Sequence, residues 1–353
     1  MDSFIIQDFK EHNSNACFSG RINKEITPEF LVRFSLSVSN FFGDGSKILL
    51  SLSDQSRYMM LKFALLSGMI SGGAEAYHLV KCGDRYVAKF ALRKLSLSGG
   101  IHVQITGQRV LLEVYDKNGA PISRKDADKI HELIHSDSLH HVELNRFIPP
   151  VNIQNMPIFY FKDLVATTVC KRLNFSVAIC TQSSSLKENF KRISSAFGIV
   201  TLFTNDQRLM PDLIQKNNLD FGIEIGENGK FALLDNNGKI LSADMFYGLV
   251  ALMVFSADEQ ADFYIPEHLA EALSPLVENF SGTMHSLNED LLEASVLQDK
   301  TLNARLQHDL CYDPLRATVR LCEFLYLNGC TLSYVCGLLH RKLPVNHDAK
   351  SNS

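Results

Sequence analysis

The chain has 353 residues. At about 100–200 residues per domain, that is room for two or three domains with a sizeable core. Hydrophobic residues at 46% and charged residues at 21% exclude a disordered chain, a collagen-like chain and a coiled coil. Lys and Arg (35) against Asp and Glu (39) give net −4. That leaves no general basic charge for nucleic acid or an anionic membrane, so neither is an expected partner.

The N-terminus, Met1-Asp2-Ser3-Phe4-Ile5-Ile6-Gln7-Asp8, is acidic and lacks the basic and apolar regions of a secretory signal. The longest strongly apolar stretch, Phe246 to Phe255, is too short to span a bilayer. The eight cysteines are Cys17, Cys82, Cys170, Cys180, Cys311, Cys322, Cys330 and Cys336. None forms a C-x-x-C pair, and most sit in apolar runs, which predicts free thiols in a reducing, cytoplasmic compartment.

In chain order, Thr27-Pro28-Glu29 starts a helix, with Thr as N-cap and Pro at the first helical position. Gly43-Asp44-Gly45 is a turn and Lys47 to Leu52 a strand. Asp54-Gln55-Ser56 introduces a helix with apolar Met60, Leu61, Ala64, Leu65 and Met69, ended by Gly72-Gly73. Ala76 to Val80 is the next strand, Tyr86 to Leu95 the next helix, and Gly99-Gly100 opens another strand. Strand, helix, strand, helix, strand predicts a parallel sheet built from crossover units. Ile148-Pro149-Pro150 reads as a linker. The apolar runs Phe159–Phe161 and Ser176–Cys180 continue a second α/β unit that ends near Ile223. The polar break Asp258-Glu259-Gln260 precedes a third unit running to about Leu343.

The order of these pieces resembles the α-D-phosphohexomutase superfamily of phosphomannomutases and phosphoglucomutases. Ile26-Thr27-Pro28-Glu29 is similar to its first-domain L-T-P-E, and Leu66-Ser67-Gly68-Met69-Ile70-Ser71-Gly72 to its A-G-x-x-S-x-G helix end. Gly99-Gly100-Ile101-His102-Val103-Gln104-Ile105-Thr106 resembles the strand before the phosphoserine loop. Asp116-Lys117-Asn118-Gly119 resembles the D-x-x-G that follows it. Leu219-Asp220-Phe221-Gly222-Ile223 and Leu234 to Asp244 resemble the segments around the metal loop. The pattern looks closest to the mutase-like domain found fused behind mannose-1-phosphate guanylyltransferase-like pyrophosphorylases.

The resemblance implies three consecutive α/β domains with mixed, largely parallel sheets. Domain I would span 1–150, domain II 151–256 and domain III 257–343, followed by a polar tail at 344–353. Only ten residues follow Leu343, so the superfamily's fourth domain is expected to be absent.

The resemblance also places the expected site. The phosphoacceptor position falls at or next to Thr106, where Gly107-Gln108-Arg109 replaces the superfamily's His-Asn-Pro. The metal loop D-G-D-x-D-R offers Mg²⁺ three carboxylates, which suits its demand for hard oxygen ligands. Here residues 224–230 offer Glu224, Glu227 and Asn228, with Lys230 in the arginine's place. Arg57 stands in the G-x-D-x-R-like loop, and His308, beside Gln307, at the place of the sugar-binding G-E-x-S-G-H. Arg57, Lys230 and His308 are the candidate substrate-binding residues.

Independently of the resemblance, His131-Glu132-Leu133-Ile134-His135 satisfies H-E-x-x-H, a zinc-hydrolase pattern. Ser136-Asp137-Ser138 ends that helix, and Ile130, Leu133 and Ile134 supply it with an apolar face.

The expected function is a catalytically degenerate phosphohexomutase-like module, binding or regulatory, in sugar-phosphate or sugar-nucleotide metabolism. Its expected partners are a hexose phosphate and a sugar-nucleotide pyrophosphorylase or another polysaccharide-biosynthesis protein. No cofactor is expected, or Mg²⁺ if the chain is active. The alternatives are an active diverged mutase, using Thr106 and Mg²⁺, and a zinc hydrolase using His131, Glu132 and His135.

Overall fold

The computed structural model describes residues 17–53, 58–80, 84–226 and 228–343. They fall into two compact units, the first ending at Phe161 and the second starting at Lys162.

In the first unit a six-stranded sheet has the order β1-β5-β4-β2-β3-β6. Its strands are β1 (Cys17–Arg21), β2 (Lys47–Leu52), β3 (Glu75–Leu79), β4 (Gly99–Thr106), β5 (Arg109–Asp116) and β6 (Val151–Ile153). Only β5 runs against its neighbours. The helices are α1 (Pro28–Phe42), α2 (Met59–Ser71), α3 (Arg85–Leu95), α4 (Arg124–His135) and the first part of α5 (Met156–Thr167).

The local signals explain the boundaries. Thr27 caps α1, its Oγ1 accepting from the Phe30 N–H at 3.2 Å, with Pro28 in the first turn. Gly73, at φ +84°, turns the chain out of α2. Alternation along the strands makes two unlike faces. Ile48, Leu50, Leu52, Ile101, Val103, Val110, Leu112 and Val114 build an apolar core with α1, α2 and α4. On the other face, a Cβ on Gly100 would crowd Leu49 and Leu92, so bare backbone lets α3 lie close to the sheet. The crossing of α1 and α2 is tighter still. A Cβ on Gly68 would overlap the Ser35 hydroxyl and the Val32 carbonyl oxygen, and one on Gly72 would meet Ser39.

The chain beyond Pro149-Pro150 returns to this sheet: β6 pairs with β3 through Tyr77↔Val151, His78↔Asn152 and Leu79↔Ile153. Phe159–Phe161 lies within α5, and Tyr160 packs edge-on against Phe90 of α3 with ring centroids 5.6 Å apart.

The second unit holds a four-stranded sheet of order β10-β9-β7-β8 and a parallel pair, β11-β12. The strands are β7 (Ser176–Cys180), β8 (Val200–Thr204), β9 (Phe221–Ile225), β10 (Phe231–Leu234), β11 (Asp262–Pro266) and β12 (Thr283–Leu287). β7, β8 and β9 are parallel, and β10 is antiparallel to β9. After α5, the helices are α6 (Ser184–Phe197), α7 (Met210–Lys216), α8 (Ala243–Ala257) and α9 (Ala270–Val277). Four more follow: α10 (Glu289–Gln298), α11 (Leu302–Tyr312), α12 (Pro314–Asn328) and α13 (Leu332–His340). Asp163 near the end of α5 is bound by Arg305 of α11 at 2.9 Å and Arg316 of α12 at 2.7 Å. Among the described residues no single helix is long and apolar enough to cross a membrane.

Candidate functional site

Thr106 is the last residue of β4 and is half-buried. β4 and β5 pair without interruption from Gly99↔Asp116 to Thr106↔Arg109, so only Gly107 and Gln108 make the turn. Gly107 has φ +60°, the conformation a tight hairpin asks of its first turn residue. The hairpin is held from three sides. Ser53 Oγ accepts from the Ile105 N–H at 2.9 Å, Tyr58 Oη donates to the Gly107 carbonyl at 3.4 Å, and the Ile22 N–H donates to the Gln108 carbonyl at 3.0 Å.

The register adds two residues that sequence reasoning missed. Arg109 faces Thr106 across the turn, and Arg21 of β1 pairs with Arg109 on its other side. Arg21 donates to Glu25 through its guanidinium at 3.1 Å and its backbone N–H at 2.8 Å, which holds the Glu25 carboxyl down at about 2. The signal for Arg109 was present as a charged residue right after a Gly-containing turn. The signal for Arg21 was not local, since β1 and β5 lie far apart in sequence.

Beneath α3 lies a second polar group that the sequence did not announce. His102 Nδ1 is 2.7 Å from Ser51 Oγ and fully enclosed. Burial, followed by the charge of Arg85, pulls the imidazole down to about 3. Alongside it, Arg85 donates to Glu113 at 2.8 Å, Tyr115 Oη donates to the same carboxylate at 3.0 Å, and Lys89 lies 5.2 Å from the Tyr115 ring. His102 and Glu113 are register partners on β4 and β5, so one cross-strand row carries this polar layer.

In the second unit, Gly226 and residues 228–230 lie between β9 and β10. The Gly226 N–H donates to the Lys230 carbonyl at 2.9 Å and the Lys230 N–H to Asn228 Oδ1 at 3.0 Å. Lys230 Nζ reaches Glu289 of α10 at 3.4 Å. Glu224 sits in β9, paired in register with Cys180 and Ala232. Burial, and then the Glu224 charge, pushes the Cys180 thiol up.

His308 and Gln307 are buried in α11. His308 Nε2 lies 3.3 Å from Glu293 Oε1. The Gln307 amide accepts from the Tyr264 N–H at 3.1 Å and donates to the Tyr264 carbonyl, so a side chain stands where a neighbouring strand would pair with β11. Lys230 and His308 are therefore linked through α10, by carboxylates four residues apart. Arg57 and Glu227 lie outside the described residues.

Residues 16–141 match the family model for phosphoglucomutase/phosphomannomutase, α/β/α domain I. The chain is also similar to a phosphoglucosamine/phosphogalactosamine mutase of Sulfurisphaera tokodaii, with 25% identity over 167 residues. Over residues 16–141 the chain carries a phosphoglucomutase/phosphomannomutase-type domain I. The aligned stretch covers 45% of this chain and 36% of the Sulfurisphaera mutase. The phosphohexomutase fold extends further. A phosphoglucomutase/phosphomannomutase family protein of Burkholderia thailandensis superposes with TM-score 0.72 at 15% identity, covering 93% of this chain and 79% of that one. The Paramecium phosphoglucomutase parafusin, in its open form, superposes with TM-score 0.68 at 10% identity, covering 92% and 73%.

Against the phosphohexomutase metal loop, the described residues fit a resident Mg²⁺ poorly. Asn228 Oδ1 is engaged by the Lys230 N–H, Lys230 brings a positive charge, and Glu224 is the one carboxylate of this loop among the described residues. Among the described residues no three His, Cys, Asp or Glu side chains converge. For the same reason His131 and His135 lack a third protein ligand, and α4 ends at His135, with Ser136 as its C-cap. Ile130 and Ile134 of this helix face the core, as the apolar spacing predicts.

Proposed function

We propose that this chain is a catalytically degenerate phosphohexomutase-like protein. It serves as a sugar-phosphate-related binding or regulatory module in cytoplasmic carbohydrate or sugar-nucleotide metabolism. The closed β4–β5 hairpin carries this reading. A phosphoryl carrier must present its hydroxyl to the incoming phosphate and to groups that neutralise it. Thr106 is instead locked in a strand pair up to a two-residue turn. A fold can persist while its chemistry is gone.

The active-mutase reading retains one favourable observation: Thr106 keeps a hydroxyl, with Arg109 opposite it in register. A coupled assay separates the two. Glucose-1-phosphate and mannose-1-phosphate are supplied with Mg²⁺ and the matching hexose bisphosphate, and the Sulfurisphaera relative's name adds amino-sugar phosphates to the series. No turnover above blank supports the degenerate reading. Turnover that Thr106→Ala abolishes would replace it with the active one.

The same reading divides the chain into phosphohexomutase-like segments at 1–150, 151–256 and 257–343. It names a sugar-nucleotide pyrophosphorylase, or another polysaccharide-biosynthesis protein, as partner. Co-purification of such an enzyme with the full chain tests the partner.

A further inference from the structure

The H-E-x-x-H segment is not absorbed by the mutase reading, and its geometry has a use of its own. His131 and His135 occupy the last two turns of α4, with ring centroids 4.7 Å apart and planes at 55°. Residues four apart share one face of a helix, so both imidazoles project to the same side. His135 is exposed and His131 half-buried. An adjacent face is anchored by Ile130 and Ile134 in the core, which fixes the helix that carries the pair.

We propose that His131 and His135 form a two-imidazole chelate for a divalent transition-metal ion of the nitrogen-preferring class, such as Zn²⁺ or Ni²⁺. These ions take neutral imidazole as a preferred ligand. Asp128, one turn earlier, and Glu132 place negative charge near the pair, which favours a bound cation. The site also lies at a helix C-terminus, where aligned peptide dipoles favour a cation. Arg33 already exploits that end by donating to the Ile134 carbonyl and, at 2.6 Å, to the Ser136 carbonyl.

Because no third protein ligand converges there among the described residues, the remaining coordination positions belong to water or an added ligand. This separates the site from a zinc hydrolase, whose metal needs three protein ligands and a working glutamate. Here Glu132 is exposed and is not part of the chelate.

The test is a calorimetric titration of the untagged full chain with ZnCl₂ and with NiCl₂. The expected result is one ion per chain, with affinity falling at least about tenfold in His131→Ala and in His135→Ala. His140→Ala is expected to bind as the unaltered chain does. A second readout, the histidine ring proton resonances, is expected to shift at positions 131 and 135 alone. Circular dichroism confirms that each variant remains folded. Binding that persists in His135→Ala, that depends on His140, or that is weaker than about 1 mM, equivalent to only about 4 kcal/mol, overturns the proposal.

Discussion

Thr106 and Arg109 stand directly opposite each other across a two-residue turn, a threonine hydroxyl and a guanidinium held at the tip of one hairpin. If that hydroxyl is not a phosphoryl carrier, intact-mass measurement after incubation with a hexose bisphosphate will find no phosphoryl adduct. An adduct lost in Thr106→Ala would contradict the degenerate reading without requiring turnover. The turn itself predicts a stability effect. Gly107→Val puts a β-branched residue at φ +60° and is expected to cost about 1–3 kcal/mol in urea unfolding.

Gly68 sets the distance between α1 and α2. Gly68→Ala would force its methyl into the Ser35 hydroxyl and the Val32 carbonyl, and is expected to destabilise the chain by about 1–3 kcal/mol. Gly337, inside α13, has nothing within reach of an added Cβ. Gly337→Ala should be neutral or stabilising by up to about 1 kcal/mol. Denaturant midpoints of the pair check whether crowding, rather than the loss of a glycine, is responsible.

His102 predicts a pH dependence. Its folded pKa of about 3 lies below the ordinary 6.5, so the unfolded chain takes up a proton first as the pH falls. Its contribution to stability is complete above about 6.5 and declines toward pH 3, with a slope approaching about 1.4 kcal/mol per pH unit. His102→Gln should flatten that part of the stability profile. An unchanged slope would assign the acid sensitivity to the carboxylates.

Gln307 predicts a different kind of loss. Gln307→Leu keeps the volume but strips the Tyr264 N–H and C=O of their side-chain partner. The expected cost is about 1–3 kcal/mol, with faster hydrogen exchange at the Tyr264 amide.

Much of the first unit is written locally. Thr27-Pro28, Gly72-Gly73 and the apolar alternation of β2 and β4 each specify their element within a few residues. Two things escape such signals. Pro149-Pro150 reads as a linker, yet proline is also at home beside an edge strand, and β6 is one. Phe159–Phe161 is an apolar run whose helix has no strong periodicity to declare it, because both sides of α5 are largely apolar. The candidate site was legible as positions rather than as relationships. Thr106 ends a strand beside a turn and Lys230 follows one, at the places the resemblance marks, whereas Arg21 joins Arg109 through a pairing between distant segments. His308 and Gln307 are polar residues whose partners, Glu293 and the Tyr264 backbone, come from other elements.

One helix gives two of these residues a shared fate. Glu289 and Glu293 project from the same side of α10, the first toward Lys230 at the β9–β10 turn, the second toward buried His308. A rigid rod carrying both carboxylates behaves as a crossbar. Rolling it by one residue, about 100°, would release the turn and the imidazole together. Substitutions at Lys230 and His308, though they never touch, are thereby mechanically geared, and their effects on folding should not simply add.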